Sequence, residues 1–192
     1  MRNPTSFSLL VVVLNGVSSI LGVSDPLSDQ LQKWDEHFHG MEFVGMSIFG
    51  TSHYTLDSAG QRDWKKLMPS GGHTVRFEIP NAGLGPDGAD NHTETIPFTV
   101  SLFHQLKCLE IYHEEYVVDP PLPPSPRLRH CLNYLRQQIL CRMNLRLEST
   151  KNEGAQSGRQ YETVCRDWSL VYGAAEENYK QHEGMEDSNL GL

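Results

Sequence analysis

The sequence predicts a mainly α fold: a disulfide-linked helical hairpin, a C-terminal helix and a small irregular β element. Two short stretches, His104–Cys108 and Arg127–Cys131, each place a histidine close to a cysteine, and regularly spaced leucines around them favour helices. Five prolines between Asp119 and Pro126 break the chain between them, which favours two helices joined by a turn. With 192 residues and 38% hydrophobic content, the chain is long enough for one domain with its own core.

The first 24 residues bear on the cellular compartment. Phe7–Val23 is mainly apolar but interrupted by polar residues, which is weak for a segment that needs about 20 apolar residues to span a bilayer. Gly22–Ser24 offers the small residues of a signal-peptidase site, so a mature chain would begin at Asp25. A cleaved signal peptide is favoured over an uncleaved membrane anchor. Either places residues 25–180 in the lumen of the secretory pathway, where disulfides form.

Two further features agree with a secretory protein. The four cysteines are an even number, and Asn91 begins a glycosylation sequon, Asn91-His92-Thr93, in a turn-rich stretch. The formal charge of −8 argues against a nucleic-acid partner, because binding to phosphates requires clustered Lys and Arg.

Three elements are predicted before the hairpin. An amphipathic helix runs from Ser24 or Asp25 to about Phe38, with Pro26 suited to its first turn. Asp57 can cap a short helix that ends before Pro69, and Thr74–Ile79 alternates like a strand. Residues 81–95 are predicted to be loop. The apolar face of the first helix comprises Leu27, Leu31, Trp34 and Phe38.

The hairpin and the C-terminal region follow. Pro97 is predicted to open a helix to about Tyr116, and Ser125-Pro126 a second helix to about Leu147. Residues 149–160 are predicted to be a polar linker and 162–180 the last helix. The acidic segment 181–192 is predicted to be a flexible tail.

The geometry of an antiparallel hairpin predicts the disulfides. At 1.5 Å per residue, Cys108 and Cys131 match in level within roughly 5 Å, so they are expected to pair. Cys141 lies about 10 Å from that level, which leaves it for Cys165 on the last helix. The same geometry separates His104 from His130 by up to about 12 Å along the axis, which is unfavourable for a shared metal ion.

Three ordered blocks of sequence then identify a family. Phe98–Leu109, His130–Cys141 and Cys165–Trp168 closely resemble the UstYa-like family of fungal secondary-metabolism proteins, over roughly residues 25–180. The resemblance implies an oxidase-like role in tailoring natural products by hydroxylation, desaturation or oxidative ring closure, with copper as cofactor. Members carry two His-x-x-His-Cys motifs.

Both motifs are altered in this chain. The first keeps His104 but has Lys107 at its second histidine, and the second keeps His130 but has Arg127 at its first. Copper prefers imidazole or thiolate, and a protonated Lys or Arg repels a cation, so a four-histidine site cannot be carried over. The resemblance leaves His104 and His130 as the predicted catalytic and metal-binding residues. A third ligand would come from His113, His92 or His73.

Three classes of function remain open. The leading one is a metal-assisted oxidase that acts on a peptide or polyketide-like intermediate. The second is a redox-neutral cyclase or dehydratase, in which His104 and His130 act as acid and base and Lys107 binds an oxyanion. By default, however, Lys107 is a surface residue. The third is a non-catalytic luminal partner of other pathway enzymes. An uncleaved N-terminal segment would add a membrane contact.

Overall fold

The computed structural model describes residues 26–80, 93–120, 122–147 and 161–183. In these ranges the structure contains five helices and four strands. They are α1 (Pro26–His37), β1 (Phe43–Ile48), α2 (Gln61–Lys65), β2 (Thr74–Pro80), β3 (Thr93–Thr99), α3 (Ser101–Tyr116), α4 (Pro126–Cys141), β4 (Tyr161–Arg166) and α5 (Ser169–Gln181).

The prediction of a mainly α fold is wrong. About 47% of the described residues are helical and 20% form strands, which pair as two small antiparallel sheets, β1 with β4 and β2 with β3. The register of the first sheet runs from Phe43 opposite Arg166 to Ile48 opposite Tyr161. The fold is therefore mixed, with the β structure spread along the whole chain.

The error arose mainly at β4, which was predicted as the start of the last helix. Along this strand half-buried and exposed residues alternate from Tyr161 to Arg166, the period of a strand with one covered face. Its partner β1 lies more than a hundred residues earlier and was not predicted at all. Each strand is stabilised mainly by pairing with the other. The sequence of either strand alone therefore gives only a weak indication of β structure.

The chain divides into two compact units. The first comprises Met1–Gly40 and Phe77–Ile96, and the second Met41–Arg76 and Pro97–Leu192. In the first unit the predicted amphipathic helix is confirmed as α1. Trp34 packs edge-to-face against Phe38 at a centroid distance of 4.9 Å and against Phe77 at 5.7 Å, which ties α1 to β2.

The second unit contains the helical hairpin, which is confirmed. Its first helix begins at Ser101 instead of Pro97, because that proline lies in β3. Its second helix begins as predicted, with the Ser125 hydroxyl accepting a hydrogen bond from the backbone N–H of Leu128 at 3.0 Å. It ends at Cys141, before the predicted Leu147. The core of the hairpin comprises Cys108, Ile111 and Cys131, with Tyr134 and Leu135 packed against it.

Asp57 was predicted to cap α2, but Gly60 is the N-cap residue and no side chain caps the helix; Asp57 instead holds the turn before it. The Asp57 carboxylate accepts hydrogen bonds from the Thr55 hydroxyl at 2.7 Å and from the Gly60 N–H at 2.9 Å. These bonds lower the pKa of Asp57. They also fix the Thr55 carbonyl, which accepts the indole N–H of Trp64 at 3.1 Å.

Several predictions fall outside the described residues: the N-terminal segment 1–24, the sequon at Asn91, the polar linker 149–160 and the tail beyond residue 183. Among the helices that are described, none combines the length and the apolar character needed to cross a membrane.

Candidate functional site

The disulfide between Cys108 and Cys131 joins the two helices of the hairpin, as predicted. Their Cα atoms are 5.0 Å apart, and 23 residues separate them in sequence. Both side chains are buried, with exposures of 0% and 2%. The bond therefore sets how the side chains on the facing sides of α3 and α4 meet.

The second predicted disulfide, between Cys141 and Cys165, is not formed. Both are free thiols, Cys141 exposed and Cys165 half-buried. The prediction assumed that Cys165 lies on the last helix, whereas it lies in β4, where its Sγ contacts Sδ of Met46 at 3.7 Å. The change from helix to strand alters both the position and the direction of this side chain.

Three histidines form a row at the start of the hairpin. The ring centroid of His104 lies 5.9 Å from that of His130 and 6.4 Å from that of His73. The axial separation expected from the sequence overstated the distance between His104 and His130, because each imidazole reaches several ångströms away from its own helix. The structure thus brings the two predicted site residues together and adds a third.

His73 joins the row through a backbone contact. The N–H of Val100, just before α3, donates to the carbonyl of His73 at 3.0 Å, which places the start of β2 beside the first turn of that helix. His73 was one of three candidates for a third ligand. Of the others, His92 lies outside the described residues, and His113 is buried elsewhere, with its Nε2 at 2.8 Å from the Asp57 carbonyl and its ring stacked on Trp64.

Tyr134 covers the middle of the row. Its ring stacks on His104 at a centroid distance of 4.0 Å and an interplanar angle of 21°, and lies 6.3 Å from His130. His130 and Tyr134 are four residues apart on α4, so they share one face of the helix. Tyr134 therefore limits rotation of the His104 ring.

His104 is held in its neutral form. Burial lowers its pKa below the usual 6.5, and the neighbouring His73 and His130 lower it further. Its Nε2 atom is buried and has no hydrogen-bond partner among the described residues. A neutral imidazole keeps one ring nitrogen with a lone pair that can accept a hydrogen bond or bind a ligand, while the surroundings that lower its pKa disfavour the protonated form.

The side chains that the structure describes do not assemble a preformed copper site. Among the described residues, no group of three or more His, Cys, Asp or Glu side chains is arranged to hold a metal ion. The two motif cysteines form the disulfide, so their sulfur atoms are not available as thiolate ligands. The ring planes of His104 and His130 are nearly parallel, with an interplanar angle of 18°. The buried Nε2 of His104, which has no hydrogen-bond partner among the described residues, is chemically suited to bind a metal ion or a ligand atom.

A cleft of about 570 Å³ opens beside the exposed His130 at the start of α4. The described residues that line it are Glu115, Ser125, Pro126, Arg127 and His130. The Glu115 carboxylate accepts hydrogen bonds from the hydroxyl and the N–H of Ser125, and these bonds lower its pKa. The cleft therefore carries a guanidinium, an imidazole and a tightly held carboxylate.

Lys107 is engaged in an ion pair. Its ammonium nitrogen lies 2.9 Å from the Glu110 carboxylate, one turn further along α3. The Glu110 side chain is 6% exposed and that of Lys107 29%. A buried carboxylate needs such a partner, so the contact accounts for a lysine at this position without a catalytic role.

Comparison with known proteins gives a consistent picture. The profile of the family "Mycotoxin biosynthesis protein UstYa" matches residues 52–172. The chain is 25% identical over 150 residues to the UstYa family oxidase phomYb of Diaporthe leptostromiformis, covering 74% of this chain and 59% of the relative. It is 31% identical over 86 residues to the oxidase ustYa of Aspergillus flavus, covering 41% and 40%. The matches thus span less than two thirds of either relative. No solved structure matches.

Proposed function

Since this chain belongs to the UstYa family of mycotoxin biosynthesis proteins, we propose that it is a tailoring oxidase of fungal secondary metabolism. Its relatives are named oxidases. The observation that carries the proposal within this chain is the histidine row, whose outer member, His130, lines the cleft. The proposed substrate is a peptide or polyketide-like intermediate, and the proposed reactions are hydroxylation, desaturation and oxidative cyclisation.

The histidines take different roles in this proposal. His130 is exposed in the cleft and contacts the substrate. His104 lies behind it with a depressed pKa, so it is neutral near pH 7 and serves as the proton acceptor. Tyr134 holds the His104 ring in place by stacking. The cation of Arg127 at the cleft favours substrates with an anionic group nearby.

Oxidation of a substrate also needs an electron acceptor. We propose that dioxygen accepts the electrons removed from the substrate and that copper is the cofactor. The proton-transfer roles of His104 and His130 do not depend on a metal ion. We further propose a secretory location and a glycan on Asn91. Contact with the membrane through the N-terminal segment would follow only if that segment stays uncleaved.

Alanine variants of the row test the proposal. His104→Ala and His130→Ala should each lower turnover in pathway reconstitution by at least about 100-fold, the usual contribution of a positioned acid or base. The control is His39→Ala, which removes an exposed histidine from the other unit. Product formation is measured by mass spectrometry and folding by far-UV circular dichroism. Folded variants with full activity would show that the histidines are structural.

A second experiment addresses copper. The metal content of the purified full-length chain is measured, and copper affinity is compared between Lys107→His, which restores a motif histidine, and Lys107→Ala. Both variants lose the ion pair to Glu110, so their difference isolates the added imidazole. Higher affinity in Lys107→His alone supports a copper site. Equal affinities, with no copper in the purified protein, favour redox-neutral chemistry at the same histidines.

A further inference from the structure

A second cavity, of about 510 Å³, lies within the second unit and is walled by aromatic rings. Tyr54 and Trp64 pack edge-to-face at 5.3 Å, and Trp168 and Tyr172 pack in the same way at 5.6 Å. All four residues line the cavity. Its volume lies in the range typical of small-molecule sites, roughly 300–1,000 Å³.

The cavity is separate from the histidine row. Leu102 and Leu106 of α3 line it, and each lies two residues from His104 in sequence. Two residues correspond to a rotation of about 200° around a helix, so these leucines lie on the face of α3 opposite His104. The histidine row and the aromatic cavity therefore use the two sides of one helix.

The walls are mainly apolar, and two of their polar atoms are engaged in hydrogen bonds to the backbone. The described side chains that line the cavity are all uncharged. The Tyr172 hydroxyl donates to the Leu67 carbonyl at 2.7 Å, and the indole N–H of Trp64 donates to the Thr55 carbonyl at 3.1 Å. Burial of the Tyr172 hydroxyl away from water raises its pKa. A charged ligand would lose its hydration here without gaining a partner of opposite charge among the described lining residues.

The aromatic residues at the cavity are not arranged as an ordinary core. Tyr54 has a φ of 58°, in the left-handed region that costs a bulky residue free energy, and its side chain is 39% exposed. Trp168 is 49% exposed and Met46 39%. A ring that stays this exposed gains little free energy from burial to offset the backbone strain at Tyr54. Strained backbone beside exposed aromatic rings is typical of a ligand-binding position.

We propose that this aromatic cavity binds a planar, uncharged hydrophobic group of a small molecule, such as an aromatic ring system. Edge-to-face pairs on its walls offer flat apolar surfaces, and aromatic ligands stack on such surfaces with favourable geometry. This site does not depend on the proposed oxidase chemistry, because none of its residues belongs to the histidine row.

Fluorescence of the full-length chain tests the proposal directly. Two of the three tryptophans, Trp64 and Trp168, line the cavity, so Trp34→Phe gives a background whose emission comes from the cavity alone. The probe is N-phenyl-1-naphthylamine, which is uncharged and aromatic, and its anionic counterpart is 8-anilinonaphthalene-1-sulfonate. We expect saturable quenching by the neutral probe and binding at least tenfold weaker for the sulfonate.

Matched variants on α3 localise the binding. Leu106→Phe should fill the cavity and weaken binding of the neutral probe at least tenfold, whereas Leu109→Phe, at an exposed position of the same helix, should leave it unchanged. Folding is checked by circular dichroism. If Leu106→Phe does not fold, Trp168→Leu, at a half-exposed position, should give the same loss.

Three results would overturn the proposal. Equal binding by the two α3 variants would place the probe elsewhere. Sulfonate binding as tight as that of the neutral probe would show that the site does not select against charge. A dimer that dissociates in Trp168→Leu would show that a second copy of the chain covers the cavity.

Discussion

Loss of the Cys108–Cys131 bond should destabilise the protein by an amount set mainly by the loop that the bond closes. The two cysteines are 23 residues apart, and the chain-entropy relation gives about 3.4 kcal/mol at 25 °C for a loop of that length. The expected comparison is between the native chain and Cys108→Ala/Cys131→Ala, whose small buried cavities add to the loss.

Urea unfolding followed by circular dichroism measures this difference. With slopes of roughly 1–3 kcal/mol per molar urea, the midpoint should fall by at least about 1 M. Reduction of the native chain should produce a similar shift. The control is Cys141→Ala/Cys165→Ala, which removes two free thiols and should change the free energy of unfolding by less than about 1 kcal/mol.

Two outcomes would contradict this reasoning. An unchanged midpoint after reduction would mean that the hairpin is held by packing alone. A large loss in the control variant, together with a Cys141–Cys165 peptide in non-reducing mapping, would restore the second disulfide that the structure lacks.

Three further predictions concern stability. Gly60→Ala should lower the free energy of unfolding by about 1–3 kcal/mol, because the added Cβ would clash with the Thr55 carbonyl. Gly173→Ala in α5, where the added Cβ meets open space, should raise it by about 0.5–1 kcal/mol; thermal or urea unfolding measures both. The pKa of Glu115 is lowered in the folded chain, so its stabilising contribution is present above pH 4.5 and lost as the pH falls below it; Glu115→Gln should abolish that part of the acid sensitivity. The pKa of His104 is also lowered, but for a histidine this means that the unfolded chain takes up the proton first. Stability should therefore fall as the pH drops below 6.5, and urea titrations at several pH values should show this loss removed in His104→Gln.

Short-range features of the fold were readable from the residues alone. The prolines between the two motifs predicted the hairpin, Ser125 predicted the start of α4, and the helical repeat distance predicted the Cys108–Cys131 pair. Asp57 was predicted to cap α2 and instead forms its hydrogen bonds in the turn that precedes the helix. Each of these depends on neighbours within one helix, one turn or one hairpin, where spacing along the chain determines spacing in space.

Other features depended on contacts between distant segments. β4 was predicted as helix because its partner β1 lies more than a hundred residues away, and this error also misplaced Cys165. The motifs named His104 and His130, but the choice of His73 over His113 as their neighbour follows from the pairing of the His73 carbonyl with the N–H of Val100. A residue's own sequence context limits its secondary structure and its chemistry. Which side chains share a site is decided by backbone hydrogen bonds and packing between segments, and these have no local pattern to reveal them.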